Sequence, residues 1–169
     1  MPKSKPSTSV CSDDDAPSLP SGFVRVTDKR FHFSMAMPKG FKFTGTAGQN
    51  SGAKYSAGGL PKIQVDFSSS PLADAAAGWK KQEPAVRSSS KDYHLFGIES
   101  TSWRGYETVA DWQFERREDG RMVHVVNRGF KVDSSRGYAI MITCTSSSWK
   151  SKECRTLRET AFATFKQAD

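Results

Sequence analysis

The stretch "ADWQFERREDGRMVHVVNRGF", residues 110–130, decides the fold. It contains two runs of alternating apolar and polar residues, and the dipeptide Asp119-Gly120 stands between them. An Asp-Gly pair between two such runs is typical of a two-residue β-hairpin turn, because both residues tolerate a positive φ angle. The pattern therefore predicts an antiparallel ribbon in which Glu118 pairs with Arg121.

The predicted register divides the side chains of the ribbon between its two faces. We expect one face to meet the main core and the next strand, "GYAIMIT" at 137–143, to continue that face. The apolar residues expected on this core face are Trp112, Phe114, Val125, Tyr138, Ile140 and Ile142.

The other face carries an Asp, an Arg and a His, which are the ingredients of an acid/base site. The register places Asp111 opposite Arg128 and His124 opposite Glu115, so the three residues belong to two separate cross-strand pairs. We interpret Asp111 and Arg128 as a structural ion pair, in which the loss of one buried partner would cost about 3–5 kcal/mol. His124, which is expected to be more exposed, has no nucleophile that the sequence identifies. No catalytic residue is therefore assigned, and His124 is kept as a candidate binding residue.

Patterns on both sides of the ribbon complete the set of elements. Ser70 is expected to be the N-cap of a helix that Pro84 kinks or ends. The predicted elements are, in order, a hairpin over 23–36, a loop over 45–52, a strand over 62–69, that helix, strands over 93–103, 106–116, 122–132 and 137–143, and a helix from Trp149. This order predicts the α+β class, an antiparallel β-sheet with helices packed on its faces.

The first residues of the chain differ from the rest in composition. Residues 1–21 are rich in Pro, Ser and Asp and hold almost no large apolar side chain. Such a segment cannot offset its ordering entropy by burial. We expect a disordered leader or linker over 1–21 and a single α+β domain over 22–169. No apolar run reaches the roughly 20 residues of a membrane-spanning helix, so no transmembrane segment is expected in this chain.

The formal net charge of +7 favours an anionic partner. Lys39, Lys42 and Lys54 are the candidate binding cations, and Trp103 is a candidate platform if it is exposed, although burial is favoured. Because zinc-finger spacing, Arg-Gly repeats and RNA-binding aromatic patterns are missing from the sequence, no specific nucleic acid is expected. A cell-envelope polymer, a lipid headgroup or a protein would suit the same charge.

The three cysteines bear on the cellular compartment. Cys11 lies in the leader, whereas Cys144 and Cys154 bracket nine residues. This pair is either a disulfide or two free thiols, and we favour the disulfide because a strand end and the start of the final helix lie close together. The bond would contribute about 3 kcal/mol in the chain-entropy model and would place the domain outside the reducing cytoplasm. A zinc site would need two more nearby ligands, so neither a metal nor a cofactor is expected.

Five stretches of the sequence show a family resemblance: "GWKKQE", "VADWQFER", "VHVVNRGF", "GYAIMIT" and "RETAFATFK". They resemble the C-terminal extracellular domains of actinobacterial serine/threonine protein kinases, within the class of PsbP-like αβα-sandwich domains, over residues 22–167. The resemblance implies a central antiparallel sheet with helices on both faces, a position outside the membrane, and a kinase elsewhere in a longer chain. The cysteine pair departs from the family pattern. The residues carried over, which we interpret as architecture, are Trp79, Asp111, Trp112, Asn127, Arg128, Gly129 and Phe165.

These observations favour a non-catalytic sensor or interaction domain that is extracellular or at the cell surface. It would be the ectodomain of a membrane serine/threonine kinase or a related secreted protein. Two alternatives stay open. One is an accessory protein that docks through the basic N-terminal hairpin and the loop at 45–59. The other is a small enzyme that uses His32, His94 or His124 with a Ser or acidic partner.

Overall fold

The computed structural model describes residues 18–168, and the leader predicted over 1–21 falls largely outside these residues. The described part folds into ten strands, two α-helices and a short 3-10 turn at Ser146–Ser148. The strands are β1 Phe23–Asp28, β2 Phe33–Pro38, β3 Lys42–Ala47, β4 Gly52–Ser56, β5 Lys62–Ser68, β6 Lys91–Ser100, β7 Val109–Glu118, β8 Arg121–Asp133, β9 Arg136–Thr145 and β10 Lys166–Gln167. The helices are α1 Ala75–Ser89 and α2 Lys152–Thr164.

The strands form two antiparallel sheets. The large sheet has the order β3-β4-β5-β9-β8-β7-β6, and the small sheet has the order β1-β2-β10. Helix α1 covers part of one face of the large sheet, whereas α2 and β2 lie on the opposite side. The predicted α+β class, with helices packed on the faces of an antiparallel sheet, is confirmed.

The hairpin of β7 and β8 has the predicted register. Glu118 pairs with Arg121, and the pairing continues without a shift to Val109 and Phe130. Asp119 and Gly120 have φ angles of 49° and 79°, the left-handed conformation that a two-residue turn requires.

The larger hydrophobic core lies on the face opposite to the one expected, because β9 is inverted relative to the prediction. If the pairing of Asp133 with Arg136 continued without a shift along β8 and β9, the side chain of Ile142 would lie on the same face of the sheet as Trp112. A β-bulge between Lys131 and Asp133 shifts that register by one residue, and a one-residue shift moves every side chain to the other face. Tyr138, Ile140 and Ile142 consequently face α2 and the small sheet. There they share the larger core with Phe33 and Met35 of β2 and with Phe165 at the end of α2.

Helix α1 begins later than predicted. Asp74, not Ser70, is the N-cap, and its side chain accepts a hydrogen bond from the backbone N–H of Ala77. Residues 70–73 instead cross the end of β9, where a Cβ on Gly137 would come within 2.6 Å of Pro71. Pro84 lies inside the helix and does not end it, because α1 is held to the sheet by packing on both sides of this exposed residue.

Three further differences concern short elements. Much of the predicted loop at 45–52 belongs to β3 and β4, which are joined by a turn over 48–51. The final helix begins at Lys152 with Ser151 as its N-cap, so Trp149 precedes it. The two-residue strand β10 pairs with β2 and has no sequence signal of its own. Neither α-helix within residues 18–168 has the length and hydrophobicity of a membrane span.

Candidate functional site

Asp111 and Arg128 form a bidentate ion pair between β7 and β8. Nε of Arg128 donates to Oδ1 of Asp111 at 2.7 Å, and Nη2 donates to Oδ2 at 2.8 Å. The guanidinium also lies 4.4 Å from the ring centre of Phe162 on α2 and 4.9 Å from that of Trp103. These distances allow cation–π attraction. The pair therefore joins the sheet to α2, and each charge is neutralised by the other.

Trp103 packs into the larger core and does not present an open aromatic face. Its ring meets Phe130 at 5.0 Å and Tyr106 at 5.6 Å, both edge to face. The neighbouring Arg104 lies over the same ring at 4.4 Å and donates to three carbonyl oxygens at the C-terminal end of α2. A cation at this end of a helix interacts favourably with its unpaired carbonyl groups. The segment around Trp103 thus holds α2 in place.

His124 is stacked between two aromatic rings and is not the exposed residue that the sequence suggested. Its ring lies 4.7 Å from that of Phe96 and 3.7 Å from that of Trp149, with nearly parallel planes. Burial and, to a lesser extent, the positive charge of Arg158 together lower the pKa of His124 to about 4. Its Nε2 lies 3.0 Å from Oε1 of Gln113. A neutral imidazole with so low a pKa is a weak base at neutral pH.

The other two histidines lie at separate places. His32 is exposed in the turn between β1 and β2 and packs edge-on against Phe67. His94 is exposed on β6, and its ring meets that of Phe96 at 4.8 Å. Phe96 therefore stands between His94 and His124, so these two rings do not converge on one open pocket.

Cys144 and Cys154 are joined by a disulfide with a Cα–Cα distance of 6.5 Å. Both residues are buried, and the bond links the end of β9 to the first turn of α2. Nη1 of Arg158 lies 3.1 Å from Sγ of Cys154. The bond favoured by the sequence is thus present, and it fixes the start of α2 against the sheet.

A groove runs along α1 on the face of the large sheet that this helix covers only in part. Helix α1 packs on β6, β7 and β8 and leaves the same face of β9, β5 and β4 open. The opposite wall is the turn over 48–51, and the floor includes the cross-strand pairs Asp66 with Ala139 and Gln64 with Met141. Three adjoining cavities of about 390, 410 and 500 Å³ make up this α1 groove.

The end of the α1 groove near the start of the helix is apolar. Its lining includes Pro71, Leu72, Phe67 and Trp79. Leu72 is 57% exposed although it is a large apolar residue. An exposed apolar side chain at the rim of a concave surface is typical of a binding site.

The middle of the α1 groove holds polar groups with unused hydrogen-bonding capacity. Asn127 is only 8% exposed, and its Oδ1 has no hydrogen-bond partner within residues 18–168. Asp66 accepts a hydrogen bond from Nε2 of Gln64 at 3.0 Å. Burial raises the pKa of Asp66, and that hydrogen bond only partly opposes the effect. Oδ1 of Asn127 is enclosed, so Asp66 is the acceptor that a ligand with hydrogen-bond donors would reach.

The α1 groove is basic beside the C-terminus of α1, and this part is its basic end. The cations of its lining whose side chains share the face of α1 are Lys54, Lys62 and Arg116, whereas Lys91 and Arg117 form a cross-strand pair on the other face. Glu118 is the carboxylate in this lining; it receives Lys62 at 3.0 Å and Arg116 at 2.8 Å. Burial alone would raise the pKa of Glu118, but these two neighbours outweigh burial and lower it. Lys62 and Arg116 share this one carboxylate, and Lys54 has no ion-pair partner in the part of the chain that the structure describes, so this end keeps a positive excess.

Two of the three predicted surface lysines face this side of the sheet. Lys42 pairs with Ser56, and Ser56 pairs with Lys62, so these side chains share a face. Lys54 lies two residues before Ser56 on β4 and lines the basic end. Lys39 lies in the turn between β2 and β3. Lys42 and Lys54 therefore lie on the side of the groove, and Lys39 lies apart from them.

The comparisons with known proteins concern the fold. No protein-family model and no curated protein sequence matches the chain. Among solved structures, cyanobacterial PsbP (CyanoP) from Synechocystis sp. PCC 6803 matches with a TM-score of 0.63 over 94% of this chain and 98% of its own, at 10% identity. The chain has a PsbP-like fold. A protein from Bacteroides thetaiotaomicron matches with a TM-score of 0.56 at 10% identity, over 86% of this chain and 48% of its own.

The α1 groove of this PsbP-like fold was not predicted from the sequence, although the residue pattern of β5 indicated an open polar face. Strand β5 alternates Ile63 and Val65 with Gln64 and Asp66, so one of its faces is polar. A single helix of 15 residues spans only part of a sheet with seven strands.

No metal-binding cluster is present within residues 18–168, because no three His, Cys, Asp or Glu side chains there could hold an ion together.

Proposed function

We propose that this domain is a non-catalytic binding module that works outside the cytoplasm and takes its ligand in the α1 groove. The observation that carries the proposal is the groove itself, which is apolar at one end, polar in the middle and basic at the other end. Concave sites with a few polar groups among apolar walls are the usual places of ligand binding.

The non-catalytic part of the proposal is supported by how the acid/base candidates are used. The charges of Asp111 and Arg128 neutralise each other. His124 has a low pKa and is hydrogen bonded to an amide side chain, not to a nucleophile. Each of these groups has a role in packing that accounts for its presence.

The extracytoplasmic part of the proposal is supported by the buried Cys144–Cys154 disulfide, because such bonds persist mainly in oxidising compartments. The sequence resemblance to the ectodomains of actinobacterial serine/threonine kinases supports a finer proposal. In it, the domain is a sensor attached to such a kinase, or belongs to a related secreted protein. An accessory role, docking on a larger complex, would use the same groove, because Lys42 and Lys54 face that side.

The experiment compares the wild-type domain with a variant whose groove is filled. Ala139 lines the floor at both the apolar end and the middle, so Ala139→Trp occupies the groove without entering the larger core. Both proteins are tested against displayed random peptides, vesicles that contain phosphatidylglycerol, and an anionic wall polysaccharide. Thermal denaturation of each protein confirms that the variant is folded.

We expect at least one of these three probes to bind the wild type and to lose about tenfold or more in affinity with Ala139→Trp, since a filled groove removes the contact surface. Binding that is equal in the two proteins would place the ligand elsewhere. The absence of binding to all three probes would contradict the proposed function.

A further inference from the structure

We propose that the ligand of the α1 groove is an extended peptide segment of another protein. In this arrangement an apolar side chain of the peptide lies beside Leu72 and acidic side chains lie beside Lys42 and Lys54. The inference rests on the proposed function and adds to it the chemistry of the ligand.

The groove is continuous from its apolar end to its basic end. Trp79 and Asp66 line both the apolar cavity and the middle cavity, while Arg116 and Met141 line both the middle cavity and the basic cavity. Helix α1 forms one wall along this path. A helix of 15 residues is about 22 Å long, and an extended chain advances about 3.3 Å per residue. The groove therefore suits a segment of about seven residues.

The basic end selects acidic groups. Glu118 neutralises part of the charge contributed by Lys62 and Arg116. Lys42 and Lys54 lie on the same face, are exposed and have no ion-pair partner within the described residues. Carboxylates placed between these two lysines would complete the neutralisation, which is the charge complementarity that a docking partner supplies.

The middle of the groove selects a chain with hydrogen-bond donors. Asp66 receives a hydrogen bond from Gln64 at Oδ2, and its Oδ1 accepts no side-chain hydrogen bond within the described residues. A peptide backbone presents N–H groups at regular intervals along its length. An extended peptide can thus donate to Asp66 while its side chains reach the two ends.

Two other ligand classes fit the middle of the groove less well. An acyl chain would cover Asp66 without giving it a hydrogen bond, and a buried carboxylate without sufficient partners is costly. A sugar polymer would find neither tryptophan of the groove open to stacking, because Trp79 and Trp112 are 8% and 2% exposed. The peptide is therefore the class that uses all three parts of the groove.

The test begins with a selection of displayed random peptides on the wild-type domain. Peptides that are enriched are synthesised, and their affinity is measured by fluorescence anisotropy at low and high salt. The binding variant is the double charge reversal Lys42→Glu with Lys54→Glu. Its matched control is Lys39→Glu with Lys150→Glu, which changes the net charge equally at exposed lysines outside the groove lining. Leu72→Ser tests the apolar end.

We expect enriched peptides to combine acidic residues with an apolar residue about four to six positions away. The binding variant should weaken affinity about tenfold and remove most of its salt dependence, whereas the control should change it less than about twofold. Leu72→Ser should also weaken binding, without changing the salt dependence.

Three results would overturn the inference. The first is enrichment of peptides without acidic residues, and the second is an equal loss of affinity in the control variant. The third is groove-dependent binding of vesicles or polysaccharide with no peptide enriched, in which case the proposed function stands and only the peptide is wrong. If Ala139→Trp weakens the binding of none of the probes, both the proposed function and the peptide inference are rejected.

Discussion

The ion pair between Asp111 and Arg128 gives the sharpest prediction about stability. Its two hydrogen bonds are 2.7 and 2.8 Å long, and the side chains of Arg128 and Asp111 keep 16% and 22% of their exposure. Removal of one partner from a fully buried pair costs about 3–5 kcal/mol. Because each side chain here still reaches solvent, we expect Asp111→Ala to lower the free energy of unfolding by about 2–3 kcal/mol.

The contribution of the pair itself is measured with a double-mutant cycle. Arg128→Met keeps an unbranched side chain against Trp103 and Phe162 while it removes the charge. The double variant should be no less stable than Asp111→Ala alone, because it leaves no partly buried cation without a partner. We expect a coupling energy of about 1–2 kcal/mol from urea denaturation.

The control pair is Asp92 with Arg117, which meets at 2.7 Å but keeps 50% and 37% of its exposure. Exposed pairs contribute about 0–1 kcal/mol, so a second cycle on this pair should give a smaller coupling energy. Equal coupling energies for the two pairs, or additive effects of Asp111→Ala and Arg128→Met, would refute the structural role assigned to Asp111 and Arg128.

Three other residues or bonds give predictions that follow from the same packing. Replacement of Cys144 and Cys154 by Ser should lower the free energy of unfolding by about 3 kcal/mol in chemical denaturation, and an unchanged value would contradict the role of the disulfide. The pKa of His124 falls from 6.5 to about 4 on folding. Between these two pH values the unfolded chain binds more protons than the folded chain, so the free energy of unfolding should decrease as the pH falls from 6.5 to about 4. The decrease due to this group should be about 1–2 kcal/mol, after allowance for partial exposure, and should vanish in His124→Phe, which keeps the stack. Arg104→Ala should cost about 1–2 kcal/mol through loss of the cap on α2, and full recovery with Arg104→Lys would show that charge alone, not the fork geometry, is responsible.

The sequence predicted the central hairpin well because its information is local. Asp119 and Gly120 determine the turn, and the turn determines every pair from Glu118 to Val109. The same reasoning predicted the pairing of Asp111 with Arg128. Where a turn of standard geometry sets the register, alternation is sufficient to assign the faces of both strands.

The face of β9 could not be predicted because it depends on a bulge. Val132, the residue that bulges before the turn between Asp133 and Arg136, is an ordinary strand residue and gives no sequence signal of a bulge. The start of α1 was missed for a related reason. Both Ser70 and Asp74 can cap a helix, and the choice of Asp74 reflects the close contact of Pro71 with Gly137 across the sheet.

The candidate site was the least predictable part because it is formed by elements that are distant in sequence. Lys54, Lys62 and Arg116 come from β4, β5 and β7, and each looks like an ordinary surface cation in its own segment. Only the order of the strands brings them to one end of the groove. The buried acceptor of Asn127 likewise depends on where α1 ends its cover of the sheet.

The most direct test of ligand binding in the α1 groove uses methyl-labelled methionine. Met141 lines the middle and the basic end of the groove, whereas Met122 pairs with Arg117 on the other face of the same sheet. On addition of an enriched peptide, the methyl resonance of Met141 should shift and that of Met122 should stay unchanged. A shift of Met122 with Met141 unmoved would contradict binding in the groove.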